Sequence, residues 1–171
     1  MANTPAAGQT AKNTTKPTKP PAPTWHELAR VTARKEIRWQ RGGTRTHWLA
    51  CGTGWDVVSV EPMAAGLQAL AAMGASTRRG YWVIADHLRD RLYVAVPTGC
   101  GDAFKDIGGV RLLSKGHQLL IPSTHEDATV SADWISHPRG SKPPALIDAE
   151  RFAAHLRGTN APTTPEKAPA S

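Results

Sequence analysis

Trp55-Asp-Val-Val-Ser-Val-Glu-Pro-Met-Ala-Ala-Gly-Leu-Gln-Ala-Leu70 reads as a buried strand, a tight turn and the start of a helix. Val57, Val58 and Val60 make a short β-branched apolar run, which suits a strand covered on both sides. The small and apolar residues from Ala64 to Met73 predict a helix that Gly74 stops. Working outward, His47 to Ala50 is a short strand, and Tyr81 to Asp86 pairs as a hairpin with Arg91 to Pro97. Gly99-Cys-Gly101 breaks the chain, and Asp102 to Ile107 is a helical turn or loop. Val110 to Leu113 and Gln118 to Pro122 predict a second hairpin around Ser114-Lys-Gly-His117, with a last strand over Val130 to Ile135. A final helix spans Asp148 to Gly158, with Asp148 as its N-cap and Gly158 as its stop. One βα unit followed by hairpins, with flanking helices, specifies a single α+β domain on a largely antiparallel sheet.

The domain spans residues 24–158 of the 171, with a basic helix at 24–40 and a core at 47–158. Residues 1–23 and 159–171 are Pro/Thr/Ala-rich, too poor in large apolar groups to offset the entropy of ordering, and read as disordered tails. No run of 18 apolar residues and no apolar segment after the early lysines is present, which predicts neither a membrane span nor a secretory signal; a cytoplasmic protein is expected. Cys51 and Cys100 stand far apart without CxxC spacing, so two reduced thiols are expected rather than a disulfide. The seven histidines fall in no metal-binding spacing, and no metal site is assigned.

The net charge is +7 and the excess lies at the front. Thr24-Trp-His-Glu27 is a capping-box pattern that opens the basic helix. Arg30, Arg34, Lys35, Arg38, Arg41 and Arg45 follow against only Glu27 and Glu36. Such a front half suits a polyanionic partner, nucleic acid first, with tryptophans available for base stacking. Six tryptophans beside two Phe and two Tyr fit a protein-partner surface or a core equally well.

A strand ending in acids just before a helix is a common magnesium-holding arrangement in nucleotidyl transfer. Val57-Val-Ser-Val-Glu-Pro62 with Ala65-Gly-Leu-Gln-Ala-Leu70 resembles the first motif of the bifunctional DNA primase/polymerase (prim-pol) family of the archaeo-eukaryotic primase superfamily, in which such a strand ends in Asp-x-Asp. Arg91-Leu-Tyr-Val-Ala-Val-Pro-Thr-Gly99 resembles the second region, where the family carries a His before an aromatic. Gly116-His-Gln-Leu-Leu-Ile-Pro-Ser-Thr-His125 resembles the third, and Asp133-Trp-Ile135 fits a later family position. The likeness covers roughly residues 48–158, and the Pro/Gly-rich, Ala/Arg-rich style also looks like short actinobacterial members.

That resemblance implies two-metal nucleotidyl transfer in DNA replication or mobile-element maintenance, but the site is altered. The two Asp positions fall on Ser59 and Glu61, the His position on Arg91, and Val110 to Leu113 offers no third acid. Asp56 is an odd number of residues from Glu61, so on one strand the two face opposite sides. A lone carboxylate binds magnesium feebly. The expectation is therefore a scaffold that has lost catalysis and binds nucleic acid through Arg30, Arg34, Lys35, Arg38, Arg41 and Arg45, with Arg91 and Lys115 lining the old cleft. Two alternatives stand beside it: an active magnesium-dependent polymerase using Glu61, Asp86 and Asp133, or a protein-interaction module on the same fold. Ser123, His125 and Asp127 lie too close in sequence for a hydrolase triad.

Overall fold

The strand Asp56–Val60 (β2) is buried at every position and runs through the middle of the molecule. The computed structural model describes residues 20–140 and 144–159; the expected tails lie outside this range apart from residues 20–23 and Thr159. In chain order the elements are α1 (Trp25–Ala29), α2 (Ala33–Gln40), β1 (Thr46–Ala50), β2, α3 (Met63–Ala72), β3 (Val83–Asp86), β4 (Arg91–Val96), β5 (Val110–Leu113), β6 (Gln118–Pro122), β7 (Asp133–Ser136) and α4 (Ala149–Thr159), with a 3-10 turn at Gly101–Phe104 before β5. Five strands form a sheet in the order β5-β2-β4-β3-β7, and β1 pairs with β6 in a second sheet. Every pair of these strands is antiparallel, so the fold is α+β as expected.

Period-two alternation along β2 divides the interior. Val58 and Val60 face one way, into a cluster with Trp25 of α1, Leu67 and Leu70 of α3, Val94 of β4 and Phe152 and Leu156 of α4. Val57 faces the other way, toward Ile84, Leu119, Ile121 and Cys51, so the two-stranded sheet covers this second face. The molecule is thus helices, a five-stranded sheet, and a two-stranded sheet. Gly66 lets α3 lie close to the large sheet: a Cβ there would sit 2.7 Å from Leu92 Cδ2 and 3.3 Å from Val60 Cβ. Two arginines of α4 close carbonyl ends, Arg151 Nη2 donating to Met73 O at 2.7 Å and Arg157 Nη2 to Ala103 O at 2.6 Å.

The β3–β4 hairpin forms as its sequence predicts, with Asp86 opposite Arg91. The second expected hairpin does not. The turn at Ser114–His117 is present, with His117 N donating to Ser114 O at 3.0 Å. Beyond it the strands part: β5 pairs with β2, Val57 opposite Leu113, and β6 pairs with β1, Trp48 opposite Leu120. The contact with the β1 segment extends to the turn itself, where Cys51 N donates to His117 O at 2.9 Å. Leu119 and Ile121 need an apolar floor, and the second face of the large sheet supplies it, whereas continued pairing with β5 would leave them at a sheet edge.

Three element boundaries also differ from expectation. The basic helix is two helices, because Arg30 leaves the helical region at ψ 130° and Thr32 caps a new start by accepting from Lys35 N at 3.3 Å. The capping box of Thr24 and Glu27 does form at the head of α1. The last strand begins at Asp133 rather than Val130. Gly158 does not stop α4, which runs to Thr159, while Asp148 does cap it, accepting from Arg151 N at 2.9 Å.

Candidate nucleic-acid interface

The end of β2 carries the residues that the family likeness singles out. Ser59 lies opposite Tyr93 on β4 and opposite Arg111 on β5, so these three form a row across the sheet on the face that the small sheet covers. One step further along are Glu61, Arg91 and Asp86. Glu61 is held just beyond β2 by Gly109, whose carbonyl accepts from Glu61 N at 2.8 Å. Gly109 has φ +71°, and a Cβ there would collide with the Glu61 carbonyl, so only glycine fits.

The carboxylates at this end are matched by guanidinium groups. Arg91 Nε donates to Glu61 Oε2 at 2.7 Å, with the two side chains 41% and 51% exposed. The hydrogen bond to Glu61, then its charge, then Tyr93 hold the Arg91 guanidinium even further above its ordinary range. Asp86 accepts from Arg89 N and from Arg89 Nη1, both at 3.0 Å. Arg111 Nη2 lies 3.2 Å from His117 Nε2. Asp133, the other acid weighed for a rearranged metal site, lies opposite Ala85 and so on the other face from Asp86.

A two-magnesium centre does not fit these residues. Ser59 is neutral, Glu61 is ion-paired, Arg91 adds a cation where a ligand is needed, and among the described residues no group of three His, Cys, Asp or Glu is placed to hold a metal ion. Neither does a triad: Asp127 accepts from Arg45 N and Thr124 Oγ1, and these bonds, the Arg45 amide first, hold its carboxyl below the usual range. His125 stacks on His137 with ring centroids 5.0 Å apart.

No family model, curated protein or solved structure matches this chain. What it can do is therefore read from its own surface.

Arg34 and Arg38 on α2 and Arg41 at its C-cap stand at i, i+4 and i+7 and, with the half-exposed Ile37, line a groove of about 410 Å³. Among the described residues none of the three has an acidic partner. The helix beneath them is anchored. Lys35 turns inward, Nζ donating to Asp133 Oδ2 at 2.7 Å and to Leu28 O at 2.8 Å, and Trp39 lies 5.2 Å from the His87 ring. Lys35 is thus not one of the surface cations the sequence reading made it, because the buried Asp133 claims its charge. Arg30 sits in the link between the helices and Arg45 just before β1. Lys115 does not share a cleft with Arg91: it lines a hollow with Asp56, at the opposite end of β2 from Glu61.

The exposed Trp48 and Arg89 are two surface residues that sequence reasoning passed over. Trp48 is 63% exposed, whereas Trp25 is 2% exposed and donates to Ala75 O at 2.8 Å. Trp48, Asp86, Arg89, Tyr93 and Gln118 line a recess of about 100 Å³. Alternation along His47-Trp-Leu-Ala was the available signal, since Leu49 faces the core and Trp48 must then face out.

No helix among the described residues is long and apolar enough to cross a membrane.

Proposed function

We propose that this chain is a nucleic-acid-binding domain on a prim-pol-like scaffold, with its former catalytic end closed by the Glu61–Arg91 ion pair. The observation that carries the reading is the stripe of three guanidinium groups, Arg34, Arg38 and Arg41, without an acidic partner among the described residues, along a helix tied down through Lys35 and Trp39. Guanidinium groups one helical turn apart meet successive phosphates, and their salt-dependent attraction needs no particular base sequence. Trp48 beside Tyr93 offers a stacking surface, with the Arg89–Asp86 pair at its rim, which suits unpaired bases. Loss of one carboxylate at Ser59 and neutralisation of Glu61 reduce repulsion toward phosphate at that end of the sheet.

The test is fluorescence anisotropy of labelled single-stranded and duplex DNA at two salt concentrations. The full chain binds, and the combined R34A, R38A and R41A variant binds more weakly with a shallower salt dependence. A slope near zero for the full chain, or one unchanged in the variant, overturns the reading. An active polymerase requires primer synthesis that disappears in Glu61→Ala; synthesis of that kind overturns the non-catalytic assignment.

A further inference from the structure

A second cleft lies where β2 begins, away from the arginines. Loops following β1, β4 and β5 surround a hollow of about 400 Å³, open to solvent and within the size range of small-molecule sites. Its floor is Asp56, a carboxylate only 3% exposed. Oδ2 accepts from Gly99 N at 3.3 Å, while no group of the described residues donates to the buried Oδ1. A buried carboxylate oxygen left without a donor is costly, and such a group calls for a partner from outside the chain: a water, an ion or a ligand.

The walls are preformed. Gly52 has φ +88°, and a Cβ there would collide with the backbone of Lys115, so the loop after β1 and the turn after β5 are pressed together as only glycine permits. Thr98 and Ser114 contribute hydroxyls, and Lys115 an ammonium group with no acidic partner among the described residues. The other carboxylate at the rim, Asp102, is paired with Lys105 at 2.6 Å and does not compete for Lys115. The charge of Asp56 is felt by both thiols: burial first, and then this carboxylate, pushes Cys51 and Cys100 up.

From this geometry we infer a binding site for a small ligand that presents an N–C–N donor edge, as in a guanidine or a guanine ring, to Asp56 and an anionic group to Lys115. Oδ1 and the second lone pair of Oδ2 are the acceptor positions that the described residues leave unused, and a carboxylate takes two parallel N–H donors bidentately. The ammonium group across the hollow selects ligands that also carry a carboxylate or phosphate. A site of this kind is independent of the nucleic-acid reading, because Arg34, Arg38, Arg41 and Trp48 take no part in it.

Thermal-shift and calorimetric titrations of the full chain test it with four probes. GMP and L-arginine both carry the N–C–N donor edge and an anion; AMP and L-norleucine keep the anion but lack that edge. A rise in Tm with GMP alone identifies the guanine nucleotide as the source, a rise with L-arginine alone identifies the amino acid, and either supports the site. Lys115→Ala, a surface change, weakens the responding probe by about tenfold or more, and Asp56→Asn abolishes the response. No shift with either probe, equal shifts with AMP or L-norleucine, or an unchanged Kd in Lys115→Ala overturns the inference.

Discussion

Arg91 Nε lies 2.7 Å from Glu61 Oε2, an ion pair just beyond the end of β2. Both side chains are about half exposed, so the pair contributes at most about 1 kcal/mol to stability. Its larger effect is electrostatic. Glu61→Gln should leave Tm within a few degrees of the parent and free the Arg91 cation. We expect tighter single-stranded DNA binding in anisotropy at low salt, with the gain fading as salt rises.

Lys35 is a structural cation. Its ammonium group joins His87 Nε2, at 3.1 Å, in satisfying Asp133, which is 3% exposed on its side chain. Lys35→Met leaves that buried carboxylate without its strongest partner and should destabilise the fold by about 3 kcal/mol. Denaturant unfolding measures this. The salt slope for DNA should be unaltered at temperatures where the variant is folded, unlike that of the Arg34, Arg38 and Arg41 variants.

Gly66 is a packing residue. Gly66→Ala places a methyl group 2.7 Å from Leu92 Cδ2, and Leu92 is fully buried. Moving α3 off the sheet or forcing Leu92 from its rotamer should cost about 1–3 kcal/mol. A Tm unchanged by this substitution is the result that contradicts the close helix–sheet approach.

Cys51 and Cys100 are pushed above the ordinary thiol value of 9.0, burial being the larger cause and the Asp56 charge the smaller. At pH 8 both should react with a disulfide reagent more slowly than free cysteine does. The sign for stability follows. A thiol whose pKa is raised on folding adds stability that is complete below the unfolded value and is lost as pH climbs through the folded one. Tm should therefore fall as the pH rises above 9.0, and Asp56→Asn should speed the Cys100 reaction.

Local features were legible in the chain. The β-branched run of β2, the capping box at Thr24, the cap at Asp148 and the β3–β4 hairpin all depend on hydrogen bonds or side-chain spacing within a few residues. The opposite facing of Asp56 and Glu61 followed from parity alone, and the packing of Val58 and Val57 into different clusters agrees with it. The arginine-rich helical character of residues 30–41 was equally plain, though not the break at Arg30 that divides one expected helix into two.

Tertiary structure decided the remainder, because each outcome depends on what a distant segment offers. Strands β5 and β6 are neighbours along the chain but part because β2 and β1 supply their edges and Ile84 and Val57 supply the apolar floor. Lys35 and Arg34 are adjacent cations with opposite fates, since a buried acid 98 residues away lies within reach of only one. Asp56 and Lys115 meet in one hollow because the turn after β5 closes against Gly52. Composition set which groups the molecule carries; competition for strand edges, burial and countercharge set which of them remain free to bind.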